Sequence, residues 1–210
     1  VAFFAAALAT IFSVIDPVGL APLFLGLTAE MSGPQRIATI HRAVLIAALI
    51  LLIFAIAGRV MLHALGISVP AFSIAGGILL LLIAIDMLFA RTSSTKETPA
   101  ERAAALQSAD ISVFPLAIPI VSGPGAIATV ILYMSYANGS PVKVAAVLAA
   151  IAISLAASYV SMRLSGLLLL LLGETGVHVV GRLMGILLAA LAIQFVLNGV
   201  ATYWHHTLAL

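Results

Sequence analysis

Cysteine is absent from this 210-residue chain, and charge is scarce, with Lys, Arg, Asp and Glu making up only 8% of it. The first absence excludes disulfides, thiol nucleophiles and cysteine-ligated metals. The second excludes an ordinary soluble surface, because globular domains carry about a quarter charged residues. Catalytic signatures are missing too: there is no His-Glu-x-x-His and no Ser/His hydrolase motif, and neither Asp16 nor Asp86 sits in a Gly-x-Gly-Asp setting. The chain therefore reads as no enzyme, with no metal and no cofactor. A basic n-region and a cleavage site are missing from Val1 to Leu27, which argues against a removed signal peptide. A net charge of +2 arises from few groups, so the pI near 9.3 does not point to nucleic acid. What is present is apolar: 64% of the residues are hydrophobic. The fold class is an all-α polytopic membrane protein.

A membrane-spanning helix needs about 20 apolar residues, and six segments come near or above that length: 2–27, 43–65, 70–90, 111–137, 142–163 and 178–200. The apolar run from Arg163 to Leu172 reads either as a tilted extension of the fifth span or as an interfacial piece. Turn signals separate the spans at Ser32-Gly33-Pro34, at Gly66 with Pro70, at Asn138-Gly139-Ser140-Pro141 and at Gly173 to Gly176. The longest polar stretch, Arg91 to Asp110, contains Thr98-Pro99-Ala100-Glu101, a capping-box pattern with proline at N1, which predicts a short surface helix there.

That stretch reads as a seam between two repeats. Gly77-Ile78-Leu79-Leu80 with Ala84-Ile85 returns as Gly185-Ile186-Leu187-Leu188 with Ala192-Ile193, an offset of about 108. Residues 1–90 form the first three-helix repeat, 91–110 a cytoplasmic linker and 111–210 the second repeat. Three spans per repeat is an odd number, so the second copy enters the bilayer inverted. Alternation of six spans puts Arg36, Arg42, Arg91, Lys96, Arg102, Arg163 and Arg182 on one side and Arg59 and Lys143 on the other. Basic residues favour the cytoplasm, so both termini are expected outside. His41, His63 and His178 fall near span ends and read as interfacial, and the arginines as snorkelling anchors.

Two breaks stand out inside this apolar text. Asp16-Pro17-Val18-Gly19 interrupts the first span and Ser122-Gly123-Pro124-Gly125 the fourth, roughly 106 residues apart. Backbone left unpaired in hydrocarbon survives only where it is buried in protein or lines a cavity, and paired interruptions in two halves mark the substrate site of many carriers. Asp followed by Pro is a good helix start, and Gly123-Pro124 repeats it. Each break thus ends one half-helix, offering carbonyls, and begins another, offering amides and a positive dipole end. A small cavity with both polarities matches a zwitterion. The substrate-binding candidates are Asp16, Pro17, Gly19, Ser122, Gly123, Pro124 and Gly125, with the glycines leaving room for backbone contact. Asp16 is also the candidate for a coupling proton. Asp86 and Gln194, equivalent positions in the third and sixth spans, are candidates for a gate or polar contact.

The segment Asp16-Pro17-Val18-Gly19-Leu20-Ala21-Pro22-Leu23-Phe24 resembles the MarC family of bacterial inner-membrane proteins, which includes SnatA-type transporters of small neutral amino acids. The resemblance continues through Ile74 to Leu80, Phe114-Pro115-Leu116-Ala117-Ile118-Pro119, Gly123 to Val130 and Leu183 to Asn198. It implies six spans in two inverted repeats and, by its characterised transporter members, movement of glycine, alanine or serine-like substrates across the bacterial inner membrane. The family often has Asn where this chain has Asp16. The expected partners are a small zwitterionic amino acid and the lipid bilayer. The alternatives are a channel for a small polar solute and a membrane protein that transports nothing.

Overall fold

The computed structural model describes residues 1–89 and 110–208. The predicted linker helix at Thr98 to Glu101, with Arg91, Lys96 and Arg102, lies outside the described residues.

The described chain is helical. Its elements are α1 (Ala2–Ile15), α2 (Pro17–Leu27), α3 (Gly33–Ala64), α4 (Val69–Leu88), a wide-turned segment Ser112–Val121, then α5 (Pro124–Ala137), α6 (Pro141–Arg163) and α7 (Ser165–Leu208). Among the described residues five stretches are long and apolar enough to cross a bilayer, Ala2–Leu27 counting as one, and the bent pair Ser112–Val121 with Pro124–Ala137 is either a sixth, broken span or a re-entrant loop. The spans match the expected ones closely, with two differences. Helix α3 starts ten residues before the apolar run, because Ser32 and Gln35 close a capping box in which Gln35 Oε1 accepts the Ser32 amide at 2.9 Å. Its 32 residues reach about 48 Å at 1.5 Å per residue, well beyond the roughly 30 Å of hydrocarbon. The run after Arg163 is a separate arm: the chain turns at Leu164, and Gly173, at φ 63°, breaks α7 again.

Burial follows size in the manner of a membrane protein. Along α3 the inward positions are Ala43, Ala47, Leu51, Ala55, Gly58 and Leu62, at helical spacing, while Leu45, Leu49, Ile53, Ile56 and Val60 face outward. Lipid tails are as apolar as leucine, so this helix gains little by turning its large side chains inward, and small ones there let backbones approach. The tightest case is α4 against α7, which run antiparallel. A Cβ on Gly77 would meet the Ala192 carbonyl at 2.7 Å and Val196 at 2.8 Å, and one on Gly185 would meet the Ala84 carbonyl at 3.2 Å and Leu88 at 3.3 Å. Elsewhere α6 packs on α1 and α2, and α3 packs on the Ser112–Val121 segment and α5.

Polar contacts identify the two ends of the bundle. At one end Arg42 lies 3.5 Å from Asp110, and His41 meets Tyr159. At the other, Arg59 donates to Asn138 Oδ1 at 3.2 Å, and the Lys143 ammonium sits 5.5 Å from the centre of the Phe3 ring. Of the described basic residues in the expected grouping, Arg36, Arg42, Arg163 and Arg182 therefore belong to the first end and Arg59 and Lys143 to the second.

Candidate functional site

The breaks at residues 16 and 122 differ in build. At the first, Asp16 takes the left-handed conformation (φ 54°, ψ 66°), its amide still reaching the Phe12 carbonyl at 2.9 Å. Its carboxylate Oδ1 accepts the Gly19 amide at 3.1 Å, and its carbonyl accepts the Leu20 amide at 3.1 Å. The new helix is thus capped by its own aspartate, and the two pieces remain one span. Asp16 itself is half-buried, and Pro17 is buried.

At the second break the chain bends by 54°. Prolines drive this. Each disfavours helical backbone in the residue before it, and Phe114 and Ile118, which precede Pro115 and Pro119 through cis peptide bonds, are extended at ψ 123° and 125°. Ser122 spends both its groups locally: its amide and its hydroxyl bond the Ala117 carbonyl, at 2.9 and 2.7 Å. The N-cap of α5 is Gly123, which has no side chain to offer, so no side chain caps this helix. The first amides of a helix have no intrahelical partner, and here that leaves Gly125 and Ala126, since Pro124 has none.

The breaks meet in the core. Val14, two residues before Asp16, lies 3.2 Å from the place of a Cβ on Gly125, with Ile83 at 2.5 Å and Leu80 at 3.6 Å. The room expected around the glycines is taken by protein in this conformation. The Asp16 carboxylate fills the place beside Gly19, the Pro119 carbonyl that beside Gly123, and Ile83 with Val14 that beside Gly125. Pro124 is exposed.

Other predicted residues lie apart. Gln194 is exposed and donates to Asn198 Oδ1 at 2.8 Å, one turn further along α7. Asp86 is half-buried near the end of α4.

Three polar groups near the breaks carried no signal in the sequence. Thr10 is fully buried on α1, where its hydroxyl meets that of Tyr133 at 2.9 Å. Ser13 is buried against Met184 Sδ at 3.9 Å. Ser154 on α6 is fully buried, and its hydroxyl has no hydrogen-bond partner among the described residues. Lys143 stands beside Phe3, and α1 and α6 run the same way, so eleven residues further on Ser154 reaches the level of Val14, about 16 Å along. Single serines in apolar helices are common, and only their assembly in space marks these.

At the end marked by Arg59 and Lys143 a cavity of about 700 Å³ opens between the start of α4, the end of α5 and the later part of α7. Ser68, Ser73, Ser135, Tyr136, Asn138, Asn198, Thr202 and Tyr203 line it, with Val69, Pro70 and Gly199. Among the described residues its lining includes no Asp, Glu, Lys, Arg or His.

The profile of the MarC family of integral membrane proteins matches residues 1–204. Among curated relatives, a UPF0056 membrane protein of Pyrococcus abyssi is 37% identical over 190 residues, 90% of this chain and 90% of the relative. One of Archaeoglobus fulgidus is 39% identical over 204 residues, 95% of this chain and 92% of the relative. One of Escherichia coli is 34% identical over 196 residues, 90% of this chain and 88% of the relative. No solved structure matches the chain.

Proposed function

The chain belongs to the MarC family of integral membrane proteins, and on that premise we propose that it is a secondary transporter of small neutral amino acids such as glycine, alanine or serine. The observation that carries the reading is the meeting of two interrupted spans in the core, Val14 of one against Gly125 of the other. The uncapped amides of α5 suit the substrate carboxylate. The Asp16 carboxylate and the carbonyls ending α1 suit its ammonium group. A small side chain follows from the crowding by Ile83, Leu80 and Val14, which must shift for any substrate to enter. In this reading Asp16 contacts the amine or carries a coupling proton.

Transport by alternating access fits a six-span body of two inverted repeats, residues 1–90 and 111–210, joined by the 91–110 linker. Reciprocity along the α4–α7 seam supports this. Gly77 abuts Ala192 and Val196, and Gly185 abuts Met87, Ala84 and Leu88, so the contacts with Ala192 and Val196 map onto those with Ala84 and Leu88 at the offset of 108. The remaining pairings follow the same exchange, with the fifth span against the first and the second against the fourth. The segregation of basic residues supports an orientation in the bacterial inner membrane with both termini outside.

The test is uptake of labelled glycine, alanine and serine by proteoliposomes, with binding of an amino-acid panel read by thermal shift. Saturable uptake with counterflow, and preference for small residues over leucine and phenylalanine, are expected. Non-saturating flux without counterflow would instead identify a channel. Topology is tested separately: cysteines at Ser94 and Ser140 should label from opposite sides, Ser94 from the cytoplasm. Same-side labelling would reject six spans and the inverted repeat together.

A further inference from the structure

The cavity at the Arg59 and Lys143 end is separate from the breaks. Ser135 in its wall is ten residues from Gly125 along α5, about 15 Å. We propose that this cavity is a second binding site, an outer vestibule that takes the same net-neutral zwitterion before it reaches the breaks. The proposal rests on the carrier reading only for the identity of the solute.

Its walls argue for the ligand class. Hydrogen-bonding groups abound, from Ser68, Ser73, Tyr136, Asn138, Asn198 and Thr202, yet none carries charge at neutral pH. Among the described lining residues a ligand with net charge finds no counter-ion, Arg59 standing outside the lining on Asn138, whereas a zwitterion needs none. Two walls are oppositely polarised. The N-terminus of the 20-residue helix α4 forms one, and the C-terminus of α5 at Ala137 lies beside the other, presenting positive and negative dipole ends. Two amides are fixed by outside partners, Asn138 by Arg59 at 3.2 Å and Asn198 by Gln194 at 2.8 Å. This gives Gln194 a role that the breaks do not. The volume, about 700 Å³, falls in the range of small-molecule pockets and far exceeds a single small amino acid, so the solute sits there with part of its water and exchanges fast.

A floor closes the vestibule toward the breaks. The Ser73 hydroxyl donates to the Phe195 carbonyl at 2.8 Å and meets the Tyr136 hydroxyl at 2.6 Å. Beneath it the Tyr133 ring packs edge-on against Phe3, Tyr136 and Phe195, with centroids 5.7, 6.3 and 5.6 Å away. The Tyr133 hydroxyl is tied to Thr10 at 2.9 Å. This aromatic layer stands between cavity and breaks, so occupancy of one is physically distinct from occupancy of the other.

The absence of native cysteine makes a direct test available. Thr202→Cys, and independently Ser68→Cys, would be reacted with a maleimide in nanodiscs, with serine or glycine as the added probe and Ser140→Cys as the control outside the cavity. Labelling at both vestibule positions is expected to slow at least about threefold at saturating serine, with Ser140→Cys unaffected, and the protection should persist when Asp16→Ala has abolished uptake. Protection without uptake in the wild-type background would uphold the vestibule and sink the carrier reading. Saturable uptake with unprotected vestibule cysteines would overturn the vestibule alone, as would equal slowing at Ser140→Cys.

Discussion

The two interrupted spans differ in who fills the helix N-terminus. At the first, the chain supplies its own anion, the Asp16 carboxylate on the Gly19 amide, and the two pieces remain one span. At the second, the equivalent cap is Gly123, two prolines precede it, and the chain bends by 54° with its leading amides uncapped. One break is thus capped by its own side chain, and the other leaves its leading amides without a side-chain cap. Spacing alone made the breaks look equivalent, and it is the cap that separates them.

Replacement of the glycines should expose this difference most strongly. A Cβ on Gly123 would strike the Pro119 carbonyl, which is backbone and cannot yield, whereas one on Gly19 meets the Asp16 carboxylate, which can swing away. Gly123→Ala should cost about 3 kcal/mol or more, read as loss of monodisperse protein and a collapsed Tm. Gly19→Ala should cost about 1 kcal/mol, the value of a lost cap. Equal losses would mean that the two breaks are built alike after all.

Gly125→Val comes next, at about 2–3 kcal/mol, because Ile83 lies 2.5 Å from the added Cβ. Ile83→Ala should restore folding of that variant without restoring glycine binding. Normal glycine affinity in the folded double variant would reduce the second break to a packing kink.

At Asp16 the left-handed backbone and the cap can be taken apart. Asp16→Ala should cost about 2 kcal/mol, roughly half for each, and should abolish uptake. Asp16→Gly keeps the backbone conformation without the carboxylate, so it should fold better than the alanine variant and still fail to transport. Asp16→Asn tolerates the left-handed conformation, keeps the cap and should retain transport with altered pH dependence. Uptake by the glycine variant would leave Asp16 a structural residue only.

The smallest effect concerns the polar start of the fourth span. The hydroxyl and amide of Ser112, at 2.5 and 3.0 Å, and then Arg42 hold the Asp110 carboxyl below its usual range. A lowered folded value means that the stabilisation is present at neutral pH and lost as pH falls through it. With both partners substantially exposed, Asp110→Asn should change stability by about 0.5 kcal/mol or less at pH 7. The difference should vanish well below pH ~4, as followed by thermal unfolding.

Much of the architecture was legible because hydrocarbon imposes a length and forbids unpaired backbone. The spans, the turns at Gly66 and Asn138 and the two breaks were all readable on that ground. Hydropathy failed where a helix outruns the membrane: residues 33–42 of α3 are too polar to register, and only the Ser32–Gln35 box announces them. It failed again in Phe114-Pro115-Leu116-Ala117-Ile118-Pro119, where two prolines four residues apart forbid a regular helix within an apolar run. Of the candidate site, the breaks were legible but the buried polar contacts around them were not. Thr10 and Tyr133 are 123 residues apart and Ser73 and Phe195 are 122 apart, and no local pattern links such pairs.

The seam between α4 and α7 sets a mechanical limit on the molecule. Gly77 lets a backbone carbonyl approach where any Cβ would collide. A one-turn ratchet of about 5.4 Å would bring Ser73 or Leu81 to that carbonyl, and both carry the atom that does not fit. The third and sixth spans are therefore keyed together in register, like the pin of a hinge. They can tilt as a pair but cannot slide past each other.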